Sequence, residues 1–188
     1  MRVYVIRHGE SETNSQGKWT GWLDAHLTEK GKNDAKTAGE FLKNVAFQKI
    51  YVSDLVRAIE TAEVALPNCE YEKSALLREI NVGNLAGNPL SIITDEQRKI
   101  ISKEGYGTFE GETKENFDCR INSFIKELET KNYNSVAVFT HAGWLRGMLD
   151  MVLDVALPSD KVRCGNCTIA IFENSDNSWK LHSWINLS

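Results

Sequence analysis

The run "VYVI" (residues 3–6), followed at once by "RHGESETN" (residues 7–14), decides how the chain is read. Four β-branched or aromatic residues in succession predict a buried strand. Directly behind them stand an arginine, a histidine, a glycine and an acid. A backbone leaving a sheet needs such residues only where something polar is held. The pattern recurs along the chain. "KIYV" (49–52) is followed by Arg57 in the first turn of the next helical stretch, and "VAVFT" (136–140) by His141. In an open parallel sheet, ligands bind outside the carboxyl ends of the strands. Strand ends would therefore deliver Arg7, His8, Arg57 and His141 to one edge, and Glu79, behind "SALLR", makes a further arrival.

Short apolar runs alternate with longer helical patterns, which predicts an α/β fold with a mainly parallel sheet. Further strands are expected at "TIAIFE" (168–173), at "KLHSWI" (180–185) and, more weakly marked, near "YEKSALL". In "LTEKGKNDAKTAGEFLKNV", Thr28 is the candidate cap, with Ala35, Ala38, Phe41, Leu42 and Val45 as an apolar stripe. In "TKENFDCRINSFIKELETK", Thr113 is the cap and Phe117, Ile121, Phe124, Ile125 and Leu128 form the stripe. "DLVRAIETAEVAL" and "AGWLRGMLDMVL" are the other long helical stretches. Residues 83–111 carry Pro89 and several glycines. They are expected to form a loop-rich excursion over the site, with a short helix near 94–102, within a single domain spanning 1–188.

Composition narrows the function. The chain has 188 residues, 41% of them hydrophobic and 26% charged, with a formal net charge of −4. That balance fits a globular protein acting on a small molecule and argues against a nucleic-acid or membrane binder, which would be basic. The N-terminus lacks an extended apolar signal region, no run reaches membrane-span length, and the four cysteines are scattered, so a cytoplasmic protein with reduced thiols is expected. Cys164 and Cys167 form a C-x-x-C without a second pair, which suits thiols bordering a strand better than a zinc or redox site.

Two arginines present planar forks matched to phosphate oxygens, and a phosphate monoester carries about −1.5 to −2 charges at neutral pH. A neutral imidazole is a good nucleophile, so one hard displacement can be split into two through a phosphohistidine. A protonated carboxyl can supply the leaving oxygen with its proton.

The blocks "RHGESETN", "LTEKG", "SDLVRAIETA", "LREINVGNLAG", "GET" and "VFTHAGWLRG" resemble, in order, the histidine phosphatase superfamily, also called phosphoglycerate-mutase-like. The resemblance implies a three-layer α/β/α sandwich and a phosphomonoesterase acting on a small phosphorylated metabolite. His8 would be the nucleophile, Arg7, Arg57 and His141 the phosphoryl pocket, and Glu79 the proton donor. Asn14 would help bind phosphate, with Thr20 and Gly21 of "GKWTG" near the entrance. No metal or other cofactor is implied, and the chain has no P-loop motif. The form of "LREINVGNLAG" and the length resemble the short phosphatase branch, which includes α-ribazole phosphatase-like and broad-specificity enzymes. A cofactor-dependent phosphoglycerate mutase is the alternative, and a non-catalytic phospho-ligand module is a third reading.

The mutase branch is longer, with a tail sheltering phosphohistidine, whereas here the sequence stops at Ser188. A mutase would also need cations for a second acidic group, and Arg78, Arg98, Lys99 and Lys103 are the candidates. Two departures stand out: Ala142 follows His141 where the family often has glycine, and "NVGNLAG" replaces an aromatic-rich form. Other acids compete with Glu79: Glu110 and Glu112 around a glycine, and Glu10 and Glu12 beside His8. Arg7 and Arg57 could instead pair with Asp54 or Glu60. Trp19 and Trp22 would either stack on substrate or bury their loop, Trp144 would pack, and His26 and His182 would be non-catalytic.

Overall fold

The computed structural model describes residues 1–158, 161–176 and 178–187. The first strand, β1 (Arg2–Arg7), is followed by a single helical turn, α1 (Glu12–Ser15), and by α2 (Glu29–Leu42). Then come β2 (Lys49–Ser53), α3 (Val56–Ala65), a short β3 (Glu72–Ser74), α4 (Asp95–Glu104) and α5 (Lys114–Glu129). The chain continues through β4 (Ser135–Thr140), α6 (Ala142–Leu153), β5 (Ile169–Ser175) and β6 (Ser178–Ile185). The strands form one sheet in the order β3-β2-β4-β1-β5-β6. Ladders among β3, β2, β4 and β1 are parallel, while β5 runs antiparallel to both β1 and β6.

Alternation along the strands builds two cores. Val3, Val5, Val136 and Val138 face α5 and α6, where they meet Phe117, Ile121, Phe124 and Leu145. Ile6, Ile50, Val52, Ala137 and Phe139 face α2 and α3, where they meet Ala35, Ala38, Leu42, Ala58 and Ala62. The result is the expected three-layer α/β/α arrangement. Thr28, Thr94 and Thr113 cap α2, α4 and α5 by accepting backbone N–H groups with their hydroxyls.

Phe41 does not join the stripe to which its spacing assigns it; it is 42% exposed. The buried face of α2 is Gly31, Ala35, Ala38, Gly39 and Leu42, and position 41 lies about 100° round the helix from the middle of that arc. Gly39 is needed there, because a Cβ would come within 2.4 Å of the Ala65 carbonyl oxygen on α3. The weak third strand shrinks to three residues and continues as a 3-10 turn over Ala75–Leu77.

The excursion carries its own apolar cluster of Val82, Leu85, Ile93 and Tyr106, with Trp19 and Ile80 against it. Backbone bonds join it to the tryptophan loop: Trp19 N donates to Asn88 O, Gly87 N to Trp19 O and Leu90 N to Gly17 O, at 2.8 to 2.9 Å. The two segments form one roof beyond the carboxyl ends of the strands.

Candidate active site

A cavity of about 520 Å³ opens under this roof. Its walls include Arg7, His8, Asn14, Thr20, Gly21, Arg57 and Glu79, all named from the sequence. His141 lies behind them, fully buried, with its ring centroid 5.1 Å from that of His8.

β1 ends on Arg7, and the His8 backbone N–H still donates to Thr140 O on β4 at 2.9 Å. The imidazole is 3% exposed. Its Nδ1 lies 2.7 Å from the Gly9 carbonyl oxygen, which can only accept, so Nδ1 carries the hydrogen. Arg57 Nε donates to His8 Nε2 at 3.2 Å. Both bonds require the same tautomer, with the lone pair on Nε2. Burial, and then the charges of Arg57 and Arg7, hold the His8 pKa well below 6.5. The ring is therefore neutral and nucleophilic at neutral pH.

Arg57 is 1% exposed on the first turn of α3. Besides His8 it donates to Leu23 O at 3.0 Å and Gly21 O at 2.8 Å, tying the roof to the imidazole. Burial lowers its pKa to about 10, partly countered by Glu79 and Asp24, so it remains cationic near neutrality. Asp54 and Glu60, the alternative partners, are engaged elsewhere. Asp54 takes a two-pronged bond from Arg78, and Glu60 accepts from Leu27 N and meets His26.

His141 occupies the N-cap position of α6 without a side-chain capping bond; its Nε2 instead lies 2.8 Å from Ser53 Oγ at the end of β2. Burial and the nearby Arg57 push its pKa well below 6.5. His141 Nδ1 and Arg7 Nε are buried without a hydrogen-bond partner among the described residues. An orphaned buried polar atom costs about 1–3 kcal/mol; an anion's oxygen would relieve Arg7 Nε, and would relieve His141 Nδ1 in the tautomer in which Ser53 Oγ donates to Nε2 and the hydrogen sits on Nδ1. Arg7 is anchored through Nη1 to Cys164 O.

Glu79 accepts from Ile80 N at 2.9 Å through Oε1 and from Gly143 N at 3.1 Å through Oε2. Gly143 leaves room for it: a Cβ there would lie 2.3 Å from Oε1. Glu112 is instead paired with Arg120, and neither Glu110, Glu10 nor Glu12 lines the cavity. Asn14 Oδ1 is within 3.4 Å of Asn166 Nδ2, and Thr20 Oγ1 lies 2.6 Å from Thr13 Oγ1.

Lys18, Tyr106, Arg146 and Asn166 also line the cavity and were not singled out from sequence. Arg146, inside "HAGWLRG", lies three and four residues beyond Gly143 and Ala142, one turn along the face of α6 that these two turn to the cavity, a spacing that could have pointed to it. The cations expected for a second acidic group are not on the wall. Arg78 is paired with Asp54 and stacked over Trp22, Arg98 donates to Leu90 O, and Lys99 and Lys103 lie outside the lining. Trp19 lines the cavity edge-on to Tyr106, while Trp22 donates to Glu79 O and Trp144 is fully buried. His26 and His182 lie outside the lining. No group of three or more potential metal-ligating residues occurs among the described residues. A second cavity, about 510 Å³ between α2 and α3, brings together no histidine or arginine.

A buried imidazole in contact with Arg57 and beside Arg7, at the carboxyl edge of an α/β sheet, is an arrangement with the charge to hold an anion, and comparison with known proteins supplies the family. A model of the histidine phosphatase superfamily (branch 1) matches residues 3–187, and the chain belongs to that family. It is 26% identical over 194 residues to "Probable phosphoglycerate mutase GpmB" of Citrobacter koseri, covering 98% of this chain and 90% of that protein. The α-ribazole phosphatase of Shigella flexneri superposes with a TM-score of 0.87 at 22% identity, covering 100% of this chain and 98% of that one. The phosphoglycerate mutase of Bacillus anthracis superposes with a TM-score of 0.82 at 25% identity, covering 97% and 92%. No helix of the described residues is long and apolar enough to cross a membrane.

Proposed function

We propose that the protein is a phosphomonoesterase that hydrolyses a small phosphorylated metabolite through phosphohistidine. The observation that carries the reading is the pair of contacts on the His8 ring, Nδ1 at 2.7 Å from Gly9 O and Nε2 at 3.2 Å from Arg57 Nε, which together assign the lone pair to Nε2. Arg7, Arg57 and His141 bind the phosphoryl oxygens, with Asn14 and the Thr20–Gly21 segment at the entrance. His8 Nε2 attacks phosphorus, the P–O bond to the leaving group breaks, and a proton passes from Glu79 to the departing oxygen. Water then attacks phosphorus as its proton passes to the Glu79 carboxylate, the P–N bond breaks, and inorganic phosphate leaves with His8 free and Glu79 protonated again. The arginines supply the charge stabilisation, so no metal takes part.

A second reading, phosphoglycerate mutase, is favoured by the name of the curated relative and by Lys18 and Arg146 on the cavity wall. Those cations suit an additional acidic group on the substrate. A mutase must also keep water from phosphohistidine until the phosphoryl group is returned.

The test is a metabolite-panel screen for released phosphate, with and without EDTA, alongside acid-labile ³²P labelling of the protein. Phosphate release with labelling that His8→Ala abolishes is expected. Labelling without hydrolysis, together with activation by bisphosphoglycerate, would replace the hydrolase with the mutase. No labelling with His8 intact would leave a binding module.

A further inference from the structure

We propose that Arg120 is a positioning residue for the reaction: by clamping the backbone on which Glu79 is carried, it sets where the proton donor meets the leaving oxygen. The proposal rests on the phosphoryl-transfer reading above and deepens it.

After the 3-10 turn at Ala75–Leu77 the chain has left the sheet, so its carbonyls have no ladder to join. Side chains take over at four consecutive carbonyls. Leu76 O accepts from Arg120 Nη1 and Trp144 Nε1, and Leu77 O from Thr140 Oγ1. Arg78 O accepts from Arg120 Nη1 at 2.7 Å, and Glu79 O from Arg120 Nη2 at 3.1 Å and Trp22 Nε1 at 2.7 Å. Arg120 Nε and Nη2 then grip Glu112 Oε1 and Oε2 at 3.0 and 2.8 Å. A guanidinium has five N–H donors in a fixed plane, and here every one is used.

The pair is well shielded, each side chain 13% exposed, and the guanidinium also lies over the Phe117 ring, 4.9 Å from its centroid. Glu112 extends the clamp beyond Glu79: Oε2 accepts from Asn81 N at 3.2 Å, and its own N–H donates to Asn81 O at 2.8 Å. The backbone is thus held on both sides of Glu79 by one ion pair rooted in α5. Arg120 does not line the cavity. Its contacts reach the chemistry through the placement of Glu79, and its charge acts besides as the last of the influences that lower the His141 pKa, a charge that Arg120→Lys retains. Lysine, a point charge without a planar fork, cannot reproduce these bonds.

The leaving group separates this role from a merely structural one. p-Nitrophenolate departs as an anion unaided, whereas an alkoxide needs the proton. The ratio kcat/KM reports the step in which the leaving group departs and excludes the later attack of water. For Arg120→Met, kcat/KM on a phosphorylated alcohol such as glycerol 2-phosphate should fall about 30- to 100-fold, the cost of misplacing a general acid by about 1 Å. On p-nitrophenyl phosphate it should stay within about 3-fold of the native protein. Arg120→Lys should shift the two substrates in the same unequal way by a smaller factor, and carries the comparison should Arg120→Met not fold. Equal losses on both substrates, or none on either, would overturn the inference while leaving the hydrolase intact. A native protein inactive on every phosphomonoester would overturn the hydrolase reading, and this inference with it.

Discussion

Gly143→Ala tests the proton-donor geometry from the opposite side. A methyl at 143 would stand 2.3 Å from Glu79 Oε1, where ordinary contact begins near 3.4 Å, so the carboxyl must retreat by about 1 Å. Its 3.1 Å bond from Gly143 N to Oε2 goes with it. A displacement of about 1 Å costs about 10²-fold when the group must meet a reacting atom. That is about 2.7 kcal/mol of barrier and lies within the 10²–10⁴ attributed to general acids. Stability should barely change, because the obstructed atom is the end of a movable side chain and alanine gains up to about 1 kcal/mol over glycine in a helix. The assay is kcat/KM on a phosphorylated alcohol for Gly143→Ala, Glu79→Gln and the double variant, with thermal melts on each. If alanine acts through Glu79, the double variant will be no slower than Glu79→Gln alone. Multiplying effects, or a Gly143→Ala rate within about 3-fold of native, would refute the assigned role of Glu79.

Arg57→Lys keeps the charge but loses the fork that reaches His8, Gly21 O and Leu23 O. Its kcat/KM should fall about 10²- to 10³-fold, with a lower melting temperature, measured by initial rates and calorimetry. The two buried histidines also set a pH dependence of stability. Their folded pKa values lie well below the unfolded 6.5, so the unfolded chain binds more protons and stability falls as pH drops through 6.5. The loss should set in as pH falls through about 6.5, and melts of a His8→Gln/His141→Gln double variant should show a shallower slope there. EDTA should leave phosphate release unchanged, which a paired rate measurement checks.

Pattern reasoning succeeded where position along the chain fixes where a residue sits. Val3 to Ile6 alternate between two cores, Arg7 closes β1, and His8 and His141 directly follow β1 and β4. It failed where a role depends on the partner across space. Phe41 has near-helical spacing, but α2 turns glycines and alanines toward α3 and leaves it outside. The antiparallel course of β5 and β6 is set by how they are connected, which apolar runs do not record. Arg120 acts through carbonyl oxygens, and every residue has one, so nothing in its surroundings marks it. Glu112 looked like a rival acid because an acid beside glycine reads alike whether it faces a cavity or an arginine.

The seam between the tryptophan loop and the excursion constrains any redesign of the cavity roof. Its bonds run from backbone to backbone between 17–19 and 87–90, so they tolerate many side chains but fix the relative course of two strips of chain. A graft that imports only one strip from another family member would leave the donor's half docked on a foreign contour. Transplanting both as a matched pair is the exchange that keeps the ceiling above the imidazole closed.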